Sequence, residues 1–180
     1  MRKTIILCVL LHVLACSSCD KKMSLNDYME NINSSMATVK IITNHVMAHD
    51  TDVLVYEYDN NTMFLEDGGV EITKTIKSLG SNFELETKTT KETLASFDRN
   101  KIFSFNFNEN LLSNVTLKEN GLTFEVLPEN VKEVFGLETL SIKNNASCEF
   151  VFIDKKLTSV KVSFVTDSNK NVEVNINYQY

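Results

Sequence analysis

The cluster with the composition of a metal site is His45, His49, Asp50 and Asp52. Two histidines four residues apart share one face of a helix and can then bind one zinc ion. The segment is predicted to be a strand, however, in which residues i and i+4 are about 13 Å apart at 3.3 Å per residue. The spacing therefore predicts no shared zinc site, and the sequence indicates no metal or other cofactor.

Catalytic and phosphate-binding motifs are absent from the sequence. It contains no Gly-x-Ser-x-Gly elbow and no cysteine next to an obvious base. The glycines at 68 and 69 lie between two predicted strands and do not open a helix, as a phosphate-binding loop would. Paired carboxylates such as Glu84 and Glu86 are expected to be solvated, since the chain has 24 acidic residues. We predict no catalytic residues and no enzymatic activity.

The clearest structural signal is the alternation of apolar and polar residues at the C-terminal end of the chain. Three stretches alternate with period two, and short polar turns separate them. They are residues 149–153, 157–165 and 172–180. The pattern predicts an antiparallel meander with one apolar and one polar face.

Segments before the meander are predicted to form further strands and a helix that covers the apolar face of the sheet. Short stretches rich in β-branched and aromatic residues recur too closely for crossover helices between them. They are residues 39–42, 53–58, 63–65, 70–76, 83–87, 102–107, 115–117 and 122–126. Before them, Ser24 is a predicted N-cap, and the residues on one face of the following helix are apolar. Those residues are Leu25, Tyr28, Met29, Ile32 and Met36.

Turn and helix signals complete the predicted architecture. Asn120 and Gly121 predict a tight hairpin, and Pro128 followed by Gly136 predicts a short helix. A helical turn is also expected over residues 90–97. The predicted fold class is α+β: a single curved antiparallel sheet, a half-barrel meander, covered by one N-terminal helix and one or two short helices.

Three phenylalanines, Phe103, Phe105 and Phe107, fall on one side of a predicted strand. Such a stripe either packs into the core or lines a ligand-binding surface. Packing into the core is the commoner explanation. If the stripe instead lines a ligand-binding surface, Phe103, Phe105 and Phe107 are the candidate ligand-binding residues.

The N-terminus has the pattern of an export signal. Arg2 and Lys3 precede an apolar run that is shorter than the ~20 residues of a membrane span. The run ends in Val-Leu-Ala-Cys, similar to a bacterial lipobox, and we expect lipidation at Cys16. The predicted organisation is a signal peptide over 1–15, the lipidated cysteine and a tether over 16–22, and one domain over 23–180. The protein is thus expected to be exported and lipid-anchored at the outer face of the cell membrane; a cleaved, secreted protein is the alternative.

The net charge of the mature chain limits the kinds of partner that it is expected to bind. Cleavage of residues 1–15 would remove two of the 18 basic residues and none of the 24 acidic ones. The mature chain would then have 16 basic and 24 acidic residues and a formal charge of −8. An acidic surface argues against nucleic acid as a partner. Cys19 and Cys148 are either a disulfide pair or two free thiols, with Cys148 packed as a small apolar residue.

The hairpin and short helix over residues 114–136, followed by the meander over 148–180, resemble small surface lipoproteins of low-GC Gram-positive bacteria. Their domain is similar to the lipoprotein-carrier half-barrels of the LolA, LolB and LppX type. The resemblance implies a curved antiparallel sheet wrapped round helices, with an apolar cavity between them. It also implies binding of an acyl chain or of another lipoprotein, and it carries no catalytic residue.

Two functions follow from the sequence. The first is a membrane-anchored, surface-exposed lipoprotein with a non-catalytic binding domain for an acyl chain or other hydrophobic ligand. The second is a surface interaction or coat module with a solid core and no small-molecule ligand. A cavity between the sheet and the helices distinguishes them.

Overall fold

The computed structural model describes residues 23–82, 84–99, 105–136 and 140–180. The expected signal peptide, Cys16, Cys19 and Phe103 lie outside these ranges. Within them, no helix is both long enough and apolar enough to cross a lipid bilayer.

Within the described residues, nine strands form one curved, open antiparallel sheet, which confirms the predicted fold class. In chain order the strands are β1 (Ile41–Asp50), β2 (Val53–Phe64), β3 (Val70–Leu79), β4 (Leu85–Leu94), β5 (Leu112–Lys118), β6 (Gly121–Val126), β7 (Ala146–Ile153), β8 (Lys156–Val165) and β9 (Lys170–Gln179). The helices are α1 (Leu25–Thr38) and α2 (Val131–Phe135), and single 3₁₀ turns cover Glu109–Leu111 and Pro128–Asn130.

The spatial order of the strands is β4-β3-β2-β1-β9-β8-β7-β6-β5. The meander β1 to β4 and the meander β5 to β9 are therefore joined where β1 pairs with β9, near the middle of the sheet. The edges are β4 and β5, which are consecutive in sequence. The chain between them passes from one edge of the sheet to the other.

Helix α1 begins where the sequence predicts. The Ser24 hydroxyl accepts from the Asp27 N–H, and the Asp27 carboxylate accepts from the Ser24 N–H, which completes a capping box. At the other end, the Arg99 guanidinium donates to the carbonyl of Val39 at 2.8 Å and lies 4.3 Å from the centre of the Phe64 ring. Arg99 thus attaches the connection between the two sheet edges to the end of α1.

The apolar face of α1 is buried. Leu25, Tyr28, Ile32 and Met36 are each at most 6% exposed. The Tyr28 hydroxyl donates to the Lys118 carbonyl, and the buried Ser35 hydroxyl accepts from the Leu157 N–H at 3.0 Å. Leu157 lies next to a register shift in the β7–β8 pairing, so a helix side chain satisfies a backbone donor at an irregular point of the sheet.

Two sequence predictions of local structure are wrong. Residues 90–94 belong to strand β4 and do not start a helical turn, because they pair in register with β3, from Thr90 with Lys74 to Leu94 with Val70. The second is the C-terminal part of the strand predicted over 102–107: residues 105–108 have no regular secondary structure, Phe107 packs in the core and Phe105 packs against it. Residues 102–104 lie outside the described residues.

The predicted hairpin and short helix are confirmed, whereas the strands predicted over 53–58 and 63–65 are one continuous strand, β2. In the hairpin, Lys118 of β5 pairs with Gly121 of β6 and Asn120 lies in the turn between them, and the 3₁₀ turn at Pro128 leads into α2. Helix α2 ends at Gly136, whose φ of 65° is the left-handed conformation that glycine adopts without strain.

Candidate ligand-binding site

The inner face of the sheet, which α1 and α2 contact, has a filled half and an open half. In the filled half, over β6 to β8, the inward-facing side chains are almost fully buried. One row across these strands consists of Leu122, Phe150 and Val160, none more than 1% exposed. This half is an ordinary close-packed core.

The helices are too small to cover the whole sheet. Helix α1 has 14 residues and is therefore about 21 Å long and about 10 Å wide. Nine strands at a spacing of about 4.8 Å place the two edge strands roughly 38 Å apart along the sheet. Among the described residues, α1 makes its most extensive strand contact with β8, and inner-face residues of β1 to β3 such as Val46, Tyr58 and Ile76 are only partly buried.

The two described members of the phenylalanine stripe lie in the filled half. Phe107 is 8% exposed, and its ring centre is 5.4 Å from that of Phe150. Phe105 is half-buried and packs edge-to-face on Phe135 and Phe150, at 5.2 and 5.3 Å. Both rings therefore belong to an aromatic core cluster, and Phe103 lies outside the described residues.

The open half has an apolar floor that is only half-buried, and we call this surface the trough. Its floor is a row across β1, β2, β3 and β9 that consists of Val46, Tyr58, Ile76 and Val174, all of intermediate exposure. The same row continues into the filled half as Val162 and Cys148, which are at most 5% exposed. Partial burial raises the pKa of Tyr58, and the neighbouring Tyr56 raises it further.

A cleft of about 190 Å³ lies at one end of this open half. Its walls are mostly apolar and aromatic, with two asparagines and one threonine among them. The lining residues are Ile42, Asn44, Asn60, Thr62, Phe64, Phe97, Ile176 and Tyr178. Burial raises the pKa of Tyr178 strongly, because the phenolate would lie in an apolar environment.

Asn44 and Asn60 are direct partners across β1 and β2. The side-chain oxygen of each is buried and accepts no hydrogen bond from the described residues. Sequence analysis missed this pair because neither residue belongs to a recognisable motif. The signal that could have found it is the β1–β2 hairpin register, which places two amides opposite each other on the apolar face.

The outer face brings together His45, Glu57 and Asp59. The His45 Nδ1 atom is 2.5 Å from an Asp59 oxygen and 4.0 Å from a Glu57 oxygen. Glu57 also accepts from the Lys77 ammonium at 2.8 Å, so its charge is already compensated. His49 lies in β1 with His45 and is not part of this group, as expected from the strand spacing. The group has ligand atoms of the right kind for a cation, and the His45–Asp59 hydrogen bond and the Lys77–Glu57 ion pair already engage them.

Cys148 is a free thiol and is 1% exposed. Burial raises its pKa to about 12, so the thiol stays protonated at neutral pH. Of the two alternatives for this residue, the structure supports a small apolar core residue. Cys16 and Cys19 lie outside the described residues, and lipidation at Cys16 stays a prediction.

These features define a class: an open antiparallel sheet, half filled by helices, with an apolar trough over its other half. No protein-family model matches the chain, and no curated protein matches it. Among solved structures, the chain is similar to LprF from Mycobacterium bovis, at 9% identity and a TM-score of 0.46, over 87% of this chain and 92% of that one. A redesigned β-barrel, mFAP1, bound to DFHBI, matches at 10% identity and a TM-score of 0.25, over 79% and 97%. Similarities this distant carry no argument about function.

Proposed function

We propose that this chain is a membrane-anchored, surface-exposed lipoprotein whose domain binds an acyl chain or another hydrophobic ligand without catalysing a reaction. The observation that supports ligand binding is the half-buried apolar trough over β1 to β3 and β9. The other half of the sheet is packed as a core. A half-buried apolar face beside it favours binding of an apolar ligand that would cover that face.

Burial of a ligand on this trough would be favourable. Each CH₂ group removed from water contributes about 0.8 kcal/mol. The floor of the trough is formed by valine, isoleucine and tyrosine side chains, which offer contact area and few fixed polar groups. These properties suit a flexible hydrocarbon chain better than a polar small molecule.

The sequence supports the membrane anchor. Cys16 precedes the first helical residue, Leu25, by nine positions. A fully extended segment of this length reaches about 30 Å. A diacylglyceryl group on Cys16 would therefore keep the domain close to the bilayer from which a lipid ligand would come.

A matched pair of variants tests ligand binding. Val46 and Met47 are neighbours in β1 with similar exposure, and they lie on opposite faces of the sheet. Val46→Lys puts a charge on the floor of the trough and is expected to weaken binding of a fluorescent acyl chain at least roughly tenfold, since charges are costly in apolar sites. Met47→Lys is expected to bind as the wild type does. Equal affinity of the two variants would refute the trough as the binding site.

A second experiment tests the anchor separately. Wild-type protein is expected to partition into the detergent phase, and Cys16→Ser into the aqueous phase. Partition of both into the aqueous phase would refute lipidation and leave a secreted protein, with the binding domain unaffected.

The alternative function, a surface interaction module, is favoured by one observation. Edge strand β4 is exposed along almost its whole length, from Leu85 to Thr93. An unpaired edge can accept a further strand from a partner protein. This alternative predicts that Val46→Lys has no effect on partner binding and that no lipid binds.

A further inference from the structure

Asn44 and Asn60 lie on the inner face of the sheet, in a row that is otherwise apolar toward the filled half. From these two residues the row runs to Ile176, Val160 and Phe150. Val160 and Phe150 are core residues, at most 1% exposed. The alternation of apolar and polar residues therefore breaks at two adjacent positions on neighbouring strands.

Both amides have a polar atom that the fold does not satisfy. The Oδ1 atoms of Asn44 and Asn60 are buried and accept no hydrogen bond from the described residues. Buried acceptors without a partner are uncommon, because the free energy lost with their hydration is not recovered. A leucine or valine at either position would avoid this cost, so the pair calls for a functional explanation.

On the side of the row away from the core, Asn60 is followed by Lys74 of β3. The Lys74 ammonium forms an ion pair with the Glu92 carboxylate at 3.6 Å. This pairing holds the charge toward the edge strand β4 and leaves the Asn60 oxygen without a donor.

Asn44 and Asn60 both line the cleft at the end of the trough. Ile42, Phe97 and Ile176 form apolar parts of the same lining. The cleft volume of about 190 Å³ is below the ~300–1,000 Å³ of pockets that enclose a whole drug-sized ligand. The cleft can therefore hold one end of a long molecule, while the rest lies along the floor of the trough.

We propose that Asn44 and Asn60 select acyl-chain ligands that carry a hydrogen-bond donor, either a hydroxyl group or an amide N–H, at the end held in the cleft. The donor hydrogen-bonds to the two carbonyl oxygens, and the hydrocarbon covers the trough. This inference rests on the proposed function and adds to it the chemistry that distinguishes one apolar ligand from another.

Matched ligands test the selection. Dodecanol, dodecanamide and dodecyl methyl ether have the same chain length, but the ether has no donor. Their affinities are measured by displacement of a bound apolar fluorescent dye from Cys16→Ser protein. The alcohol or the amide is expected to bind roughly tenfold more tightly than the ether, the effect of one net hydrogen bond. The tighter of the two identifies the source of the donor.

Matched variants test whether Asn44 and Asn60 cause the preference for ligands with a hydrogen-bond donor. Asn44→Leu/Asn60→Leu is expected to bind all three ligands with affinities within about twofold of one another. Its melting temperature should equal or exceed that of the wild type, because two unsatisfied oxygens are removed. Asn44→Ala/Asn60→Ala removes the same oxygens without adding volume, and it should lose the preference too. Asn61→Leu is the control, since Asn61 is exposed on the outer face next to Asn60 and should keep the preference.

Each result has one meaning. Equal binding of alcohol, amide and ether by the wild type overturns the inference and leaves the proposed function standing. A preference that survives in a folded double variant overturns the role of the asparagines. Failure of all three ligands to displace the dye from the wild type refutes the proposed function itself.

Discussion

Docking of α1 on the filled half of the sheet can be tested by Ile32→Ala. Ile32 is 1% exposed and belongs to the core cluster that α1 forms with β6 to β8. Truncation of a buried isoleucine to alanine typically costs about 2–5 kcal/mol. For a domain of this size, each kcal/mol lowers the melting temperature by about 2–4 °C. The expected decrease is therefore roughly 4–20 °C.

The assay is thermal unfolding of Cys16→Ser protein, followed by circular dichroism and calorimetry. Asn33→Ala is the control, because Asn33 is the next residue of α1 and is exposed. Its effect should stay within about 0.5 kcal/mol, or about 2 °C. If Ile32→Ala melts within that interval of the wild type, α1 does not stabilise the domain and the description of the filled half as a packed core is wrong.

Three further predictions concern single residues in the filled half. Ser35→Ala should cost about 1–3 kcal/mol in urea unfolding, because the Leu157 N–H loses its acceptor; no loss of stability would contradict that role. Phe107→Ala should lower the free energy of unfolding by about 3–5 kcal/mol and leave acyl-chain affinity unchanged. Unchanged stability with lost binding would show instead that the Phe107 ring contacts the ligand. With the other cysteines replaced by serine, Cys148 should react with iodoacetamide only on unfolding, since burial raises its pKa to about 12; rapid labelling of the folded protein would show an accessible thiol.

Local features of the fold were predictable from the sequence. The period-two alternation over residues 149–180 predicts three strands, and the structure has β7 to β9 there. Ser24, Gly121 and Gly136 mark a helix start, a hairpin and a helix end, because caps and tight turns depend on a few adjacent residues.

Long-range features were not predictable from the sequence. Only the start of β4 was predicted, within the strand over 83–87, because β4 is almost entirely polar and exposed and shows no alternation over the rest of its length. The pairing of β1 with β9 joins segments more than a hundred residues apart, and local patterns do not encode such contacts. The phenylalanine stripe had the composition of a strand, but Phe105 and Phe107 lie in a segment without regular secondary structure and pack their rings on Phe150.

The same limit applies to the candidate site. Asn44 faces Asn60, and His45 faces Asp59, only because of the register of β1 on β2. A one-residue shift in that register would move every one of these side chains to the other face relative to its partner. The site is thus a property of the assembled sheet and not of a sequence motif.

The most direct test of ligand binding is native mass spectrometry of the purified Cys16→Ser protein. We expect a population with an added mass equal to that of one lipid, and we expect Val46→Lys to lack it while Met47→Lys keeps it. Cys16→Ser protein that carries no lipid and takes up none when incubated with dodecanol or dodecanamide would contradict ligand binding and favour an interaction module with an unoccupied trough.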